Sequence, residues 1–397
     1  MKLMYPKKLL MGLMFFLPSI CFAEITWNGF LSVGGGIADA DEGDELAGYE
    51  DVATFQQDSV LGLQASTDIN DHVSVTVQIL ANGANGFDPQ VTWANVNYQF
   101  SNDLAFKLGR YQTPLYLYSD FLDVGYAYHW ISPPSEVYLG AGSTQDGIEL
   151  IYQKSFGDAY FTGQFFYGGA SEIVESSGVD LSVDSRKRGG FAVSMVYDWL
   201  TVRAGAQSTE TSIEGYSDIA LPGVGSVGGL IATLNSLPVG LVGTGAQNTA
   251  EILAFQEDEF VYSSLSIKAE LGQFLVVTEF TDLAVDDSPA AEQQSWYVSG
   301  GYSFGDWMIH LTHSETDNEA PDLTSDIPVI PTVTDGLIAL IDGFTAATAI
   351  DQKTNSIGVR WDFTSGVAIK AEYSDIDADN TPASSGNLFR VAIDAVF

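Results

Sequence analysis

Leu388-Phe389-Arg390-Val391-Ala392-Ile393-Asp394-Ala395-Val396-Phe397 closes the chain. Phe389, Val391, Ile393, Ala395 and Phe397 take alternate positions, with Arg390, Ala392 and Asp394 between them. Side chains of a strand alternate between its two faces, so this stretch has one apolar and one polar face. The same period recurs upstream. Val73, Val75, Val77 and Ile79 alternate with Ser74, Thr76 and Gln78. Ala94, Val96, Tyr98 and Phe100 alternate with Asn95, Asn97 and Gln99. Ile357, Val359, Trp361 and Phe363 alternate with Ser356, Gly358, Arg360 and Asp362. The polar partners are mostly small or uncharged, whereas a strand face meeting bulk water would carry more Lys and Glu.

Working outward, the connectors alternate in length. Short turns at 68–71, 101–103, 156–158, 198–199, 271–273, 304–306 and 363–366 contain Gly, Asn, Asp or Ser, which turn tightly at low steric cost. Long connectors lie near 38–58, 82–90, 111–145, 168–188, 211–257, 283–293, 317–353 and 377–386. Sixteen strands fit between them, at about 25–37, 59–68, 72–81, 91–100, 104–110, 146–154, 159–167, 189–197, 200–210, 258–270, 274–282, 294–303, 307–316, 354–362, 367–376 and 387–397. An even strand number with turns at one end and loops at the other predicts an all-β, transmembrane, antiparallel up-and-down β-barrel. Tilted strands of about ten residues cross a bilayer, and closure follows because lipid cannot satisfy a free sheet edge. Trp27, Phe100, Phe156, Trp199, Phe304, Trp307 and Phe363 sit near the short turns, where an interfacial girdle belongs. A soluble sandwich does not sustain this rhythm over sixteen strands, and propeller blades would repeat in sequence.

Composition agrees. The 397 residues carry 52 acidic and 15 basic side chains, a net charge of −37, yet only 17% are charged. The 23 Phe, 18 Tyr and 7 Trp exclude a disordered acidic chain. The acidic excess excludes a nucleic-acid binder, and one cysteine excludes a disulfide scaffold. Lys2, Lys7 and Lys8 precede the apolar run Leu9–Leu17, a break at Pro18-Ser19, and Cys21-Phe22-Ala23. This predicts a signal peptide over 1–23, with 24–397 as one barrel domain. The exported part keeps 12 basic and 52 acidic residues, a charge of −40, and no cysteine.

An opening strand Glu24-Ile25-Thr26-Trp27-Asn28-Gly29-Phe30, a terminal Phe397 and a long third loop together resemble a Gram-negative outer-membrane porin of the sixteen-stranded general-diffusion type. Gly109-Arg110-Tyr111-Gln112-Thr113-Pro114 is similar to the start of that loop in several porin groups, although the enterobacterial Pro-Glu-Phe-Gly-Gly tip is missing. The resemblance implies a homotrimer of water-filled barrels in the outer membrane, among lipid and lipopolysaccharide. It also implies passive diffusion of small hydrophilic solutes and ions, and recognition of Phe397 by the barrel-insertion machinery. The third loop, 111–145, would fold into the lumen and constrict it.

That loop holds Asp120, Asp123 and Glu136. In the family, such acids face a basic wall ladder, and the field between them sorts solutes. Arg110 starts the loop, and alternation places Lys107, Arg203, Arg360, Lys370 and Arg390 toward the lumen. The expected constriction sets the three acids against Arg110, Arg360, Lys370 and Arg390, with weak cation preference. The competing reading pairs these charges locally, Lys370 with Glu372 or Arg390 with Asp394. Tyr116, Tyr118, Tyr126, Tyr128 and Trp130 could instead form an aromatic track for an oligosaccharide-specific channel.

The first outer loop, from Asp39 to Asp58, is acidic but lacks the ligand order of a calcium loop, so neither a metal nor a cofactor is expected. Gly229-Leu230-Ile231-Ala232-Thr233-Leu234 and Gly336-Leu337-Ile338-Ala339-Leu340-Ile341 resemble each other. They predict short helices over the barrel mouth, buried on another loop or subunit. No enzyme is expected: there is no Gly-x-Ser-x-Gly, and His310 and His313 fall on opposite strand faces.

Overall fold

The computed structural model describes residues 24–39, 45–138, 144–176, 178–379 and 385–397. The expected leader, 1–23, lies outside them. The barrel strands are β1 (Ile25–Asp39), β2 (Val60–Asn70), β3 (Val73–Asn82), β4 (Gln90–Ser101), β5 (Leu104–Gln112), β6 (Thr144–Phe156), β7 (Ala159–Ser176), β8 (Val179–Tyr197) and β9 (Leu200–Glu214). A two-residue hairpin, β10 (Ala220–Leu221) with β11 (Gly225–Ser226), interrupts them. The barrel resumes with β12 (Asp258–Leu271), β13 (Phe274–Asp286), β14 (Glu292–Phe304), β15 (Trp307–Glu319), β16 (Asp351–Thr364), β17 (Val367–Asp379) and β18 (Gly386–Val396).

Sixteen strands close antiparallel, each beside its sequence neighbour, with β1 paired to β18. Phe397 completes the seam: its N–H donates to Gly29 O (2.9 Å) and its carbonyl accepts from Gly29 N (2.7 Å). The polarity is inverted relative to a water-soluble fold. On β15, Leu311 is 61% exposed while its neighbour Thr312 is 7% exposed. Serines and threonines at 295, 299, 314 and 316 are likewise buried, with exposed Val298 and Ile309 on the other face. Lipid contact accounts for the apolar outer face, and the hydroxyls belong to the inside. Trp307 and Trp361, opposite each other on β15 and β16, stack with centroids 5.0 Å apart near the short-turn end.

One span departs from expectation. The connector over 168–188 is strand, because β7 and β8 run for 18 and 19 residues and pair from Ala159↔Tyr197 to Ser176↔Val179. The glycine pair Gly168-Gly169 and the serines suggested a loop, but Ile173, Val174, Leu181 and Val183 keep a β-branched, apolar content that pairing can use.

The two apolar loops form helices, as their composition predicts: α2 (Val227–Ser236), α3 (Val239–Val242) and α4 (Gly245–Ile252) in one, α5 (Asp335–Ala346) in the other. α1 (Ser135–Tyr138) belongs to the third loop. Leu230, Leu234, Ala246 and Leu253 bury against Ile327 and Ile341, so the two loops share one apolar core.

Gly109 on β5 is the backbone position on which the third loop's start depends. Its φ is +126°, and a Cβ there would lie 2.2 Å from Ala94 O on β4. Such conformations cost an L-residue about 1–3 kcal/mol even without the clash. Gly109→Ala is therefore expected to lower the thermal unfolding midpoint in detergent and to weaken refolding yield, whereas Gly300→Ala, in open space, should leave both near the parent values.

Candidate functional site

The third loop leaves β5 at Thr113, makes single turns at Ser119–Phe121 and Gly125–Ala127, and ends its described part in α1. Its aromatic residues mostly face one another. Tyr118, Tyr128, Trp130 and Tyr138 form one buried cluster with Leu275, Val277 and Tyr297 from β13 and β14. The Tyr118 and Trp130 rings meet edge-on at 5.7 Å, and Trp130 meets Tyr297 at 5.4 Å. Such contacts bury large area in fixed geometry.

Hydrogen bonds tie this segment to a continuous arc of strands, on the face that carries the polar residues. On β9, Arg203 Nη2 donates to Pro114 O (2.5 Å); on β12, Ser264 Oγ donates to Leu115 O (2.9 Å). On β13, the fully buried Glu279 accepts from Leu117 N (2.9 Å), from the Tyr138 hydroxyl and from Tyr297 Oη (3.3 Å). On β14 and β15, Ser299 Oγ pairs with His129 Nε2 (2.8 Å), and Thr312 Oγ1 accepts from Trp130 Nε1 (2.8 Å). Burial, with His310 4.8 Å away between ring centres, holds His129 well below its ordinary pKa. On β16, Arg360 Nη1 donates to Tyr126 O (2.8 Å) and Tyr128 O (2.7 Å). On β17, Lys370 Nζ donates to Gly125 O (2.7 Å) and Trp130 O (2.5 Å). On β18, Arg390 Nη1 donates to Ser132 Oγ (2.7 Å).

The three loop acids occupy different surroundings. Asp120 is exposed. Asp123 is partly buried, and burial pushes its carboxyl up to about 6. Glu136 is buried and accepts from Gln352 Nε2 (2.8 Å) and the Thr354 hydroxyl. None of the three forms an ion pair among the described residues. The wall cations pair instead with wall carboxylates, Lys370 with Asp394 (2.9 Å), Arg390 with Glu372, Arg360 with Asp362 (2.7 Å) and Lys107 with Glu149 (2.6 Å), and Arg390 also meets Asp58 of the first outer loop (3.4 Å). Register supplies the reason, since Glu372 lies directly opposite Arg390 across β17 and β18. Arg203 has Gln164 Oε1 at 3.2 Å as a further acceptor.

Arg110 does not line the inner wall, and this corrects the expectation. Lys107 lies over the Tyr111 ring at 5.2 Å, so both share the inner face. Arg110 has the other parity, that of the exposed Leu108, and pairs outside with Asp146 (2.6 Å) opposite it on β6. Its place at the head of the loop suggested a pore role that strand parity overrules.

Of the aromatic-track residues, Tyr116, Tyr118, Tyr128 and Trp130 are buried. Tyr126 is partly buried with Arg360 over its ring at 4.8 Å. Glu279, Ser299, Thr312, Gln352 and Thr354 were not singled out from sequence. Strand parity sends Glu279, Ser299, Thr312 and Thr354 inward, Gln352 fell within the expected connector 317–353, and no local signal said that they would meet the loop. Beside the segment a cavity of about 900 Å³ remains, lined by hydroxyls and amides of β14 to β18. Its charged lining is Asp58, Asp123, Glu136 and Glu372 against Arg390. No group of three or more His, Cys, Asp and Glu placed to hold a metal occurs among the described residues.

A family model described as Gram-negative porin matches residues 10–381. No curated protein sequence matches. Three solved structures share the fold. OmpT, an outer membrane protein of Vibrio cholerae folded in vitro and described as a trimer form, aligns at TM-score 0.55 and 13% identity, covering 94% of this chain and 99% of that one. OmpF of Salmonella typhi, in complex with daunomycin, aligns at 0.56 and 12%, covering 94% and 98%. An anion-selective porin from Comamonas acidovorans aligns at 0.56 and 13%, covering 94% and 100%. At these identities the likeness is one of fold.

Lys370 and Asp394 each have side chains 1% exposed, and Lys370 also holds two loop carbonyls. Removing one partner of a buried pair typically costs about 3–5 kcal/mol. Lys370→Met is expected to destabilise the barrel by that order in denaturant titrations and to raise open-channel current noise. Lys370→Met with Asp394→Leu should recover most of the stability but keep the noise, because the loop carbonyls stay unanchored.

Proposed function

Because the chain belongs to the Gram-negative porin family and lies in the outer membrane, we propose that it is a channel for passive diffusion of small hydrophilic solutes and ions, with a weak preference for cations. The observation that carries this is the cavity of about 900 Å³ left beside the third loop. A barrel of this strand number is wider than its own side chains fill. The loop segment supports a constriction within the lumen because its partners on β9 and β12 to β18 all stand on the polar face.

The cation preference rests on the lining. Four carboxylates, Asp58, Asp123, Glu136 and Glu372, face the cavity against one guanidinium, Arg390. Arg360 and Lys370 are occupied with loop carbonyls and wall acids, so they offer little free positive potential to a passing anion. Coulomb attraction at close quarters inside a narrow pore outweighs the charge on distant outer loops, which salt screens beyond about 10 Å at 0.1 M. An oligosaccharide track gains no support, since sugars stack on ring faces and these rings cover one another. A homotrimer, as described for the Vibrio cholerae protein, is part of the same proposal. Sizing in mild detergent should return three chains per particle, and a monomer would remove it.

Asp123 sets a pH dependence. Its folded pKa, about 6, lies above the ordinary 3.8, so the fold favours the protonated carboxyl. Its contribution to stability is therefore full at low pH and is lost as pH rises through 6. Reversal potentials in a salt gradient are expected to report cation preference at pH 7.5 and a smaller one at pH 5. Asp123→Asn at pH 7.5 should match the parent at pH 5 in this respect and lose the change near pH 6. Anion preference at pH 7.5 would sink the selectivity reading.

A further inference from the structure

A second cavity, of about 280 Å³, lies against the other part of the third loop. Its wall divides by strand. Arg188, Gln207 and Thr209 on β8 and β9 give it a polar side, and Phe260 and Tyr262 on β12 give it an aromatic one. The register sets these residues side by side, Thr209 opposite Phe260 and Gln207 opposite Tyr262. The loop closes the cavity with Thr113, Leu115 and Tyr116. Gly205 permits the approach: a Cβ there would lie 2.8 Å from Leu115 O, the carbonyl that Ser264 holds.

The polar side is built but incomplete. The Gln207 side chain is 8% exposed and that of Thr113 4%, and neither Gln207 Oε1 nor Thr113 Oγ1 has a hydrogen-bond partner. Leaving such an atom unpaired in a buried place is costly. Two on one cavity that also has an aromatic wall call for an occupant supplying hydrogen-bond donors at one end and apolar surface at the other. Charge narrows the class. Arg188, whose Nη1 donates to Thr144 O at 3.3 Å, is the cation of the lining, and the exposed Glu172 is its carboxylate. A lining with one charge of each sign suits a ligand that is neutral overall.

We propose that this cavity is a binding site for an apolar amino acid in its zwitterionic form. The ligand carboxylate accepts from the Arg188 guanidinium. Its ammonium donates to Gln207 Oε1, with Thr113 Oγ1 as second acceptor. Its side chain lies against Leu115, Phe260 and Tyr262. The site rests on the channel reading, since the pore delivers the ligand to it, and it makes the protein selective for one class among the solutes it passes.

The probe is L-phenylalanine, added to the intact channel in a planar bilayer. Resolved, concentration-dependent interruptions of the ion current are expected, with much weaker effects from 3-phenylpropionate, which lacks the ammonium, and from glucose, which lacks the apolar body. A hydrogen bond to a charged group is worth about 1.5–3 kcal/mol, and 1.4 kcal/mol is tenfold. Gln207→Leu should therefore raise the half-blocking concentration at least about tenfold while leaving the ligand-free conductance, the sign of a folded pore, unchanged. Thr113→Val should shift block in the same direction by less, and stands in if Gln207→Leu does not fold. Equal block by 3-phenylpropionate overturns the ammonium assignment, and unchanged block in the variants overturns the site. Absence of block with normal ion current overturns the site and leaves the pore reading standing. Absence of ion current in the parent overturns both.

Discussion

Hydrocarbon offers no partner to a peptide N–H or C=O, and the rest of this molecule is arranged around that fact. Every barrel strand must find two neighbours, so the sheet closes and β1 meets β18. Closure at sixteen strands makes an interior that side chains of the wall cannot fill. The connection between β5 and β6 packs its aromatic residues against Leu275, Val277 and Tyr297 of the wall. The outer face then answers to lipid and the inner face to water and to that segment.

The third loop faces a second difficulty, because its own carbonyls need donors. The wall provides them from charged side chains. Arg203, Arg360 and Lys370 each give a hydrogen to loop carbonyls, and Glu279 takes hydrogens from the loop's N–H and from two tyrosines. Charge-assisted hydrogen bonds are the stronger kind. The cations therefore serve position first and electrostatics second. Lys370 and Arg360 are balanced within the wall by Asp394 and Asp362, as Arg390 is by Glu372, so the loop's acids need not be spent on them.

Much of the barrel was legible because the membrane imposes a period of two and a length, and both show directly in runs such as Phe389 to Phe397. Where the chain leaves the membrane, that constraint lapses. The continuation of β7 and β8 past Gly168 carries no lipid-facing pattern and read as a loop. At the site, parity placed Lys107, Arg203, Arg360, Lys370 and Arg390 on the inner face, and their contacts are with Tyr111, Gln164, Tyr128, Trp130 and Ser132 respectively. Their partners were another matter. Glu372 meets Arg390 because of strand register, and Lys370 reaches diagonally to Asp394. Register is a relation between strands, and no single strand reports it. Arg110 shows the opposite lesson. Counting from Lys107 already sends it outward, and its position at the start of the loop was the weaker guide.

The shared apolar core of the two helical loops has a consequence for how this surface can change over generations. Loops facing the outside of a cell are usually where substitutions and insertions accumulate most freely. Here Leu230, Leu234 and Leu253 in one loop are covered by Ile327 and Ile341 of the other. A change of size on either side opens a void or forces an overlap unless its counterpart changes as well. The two loops, distant in the chain, are thus bound to drift as a pair.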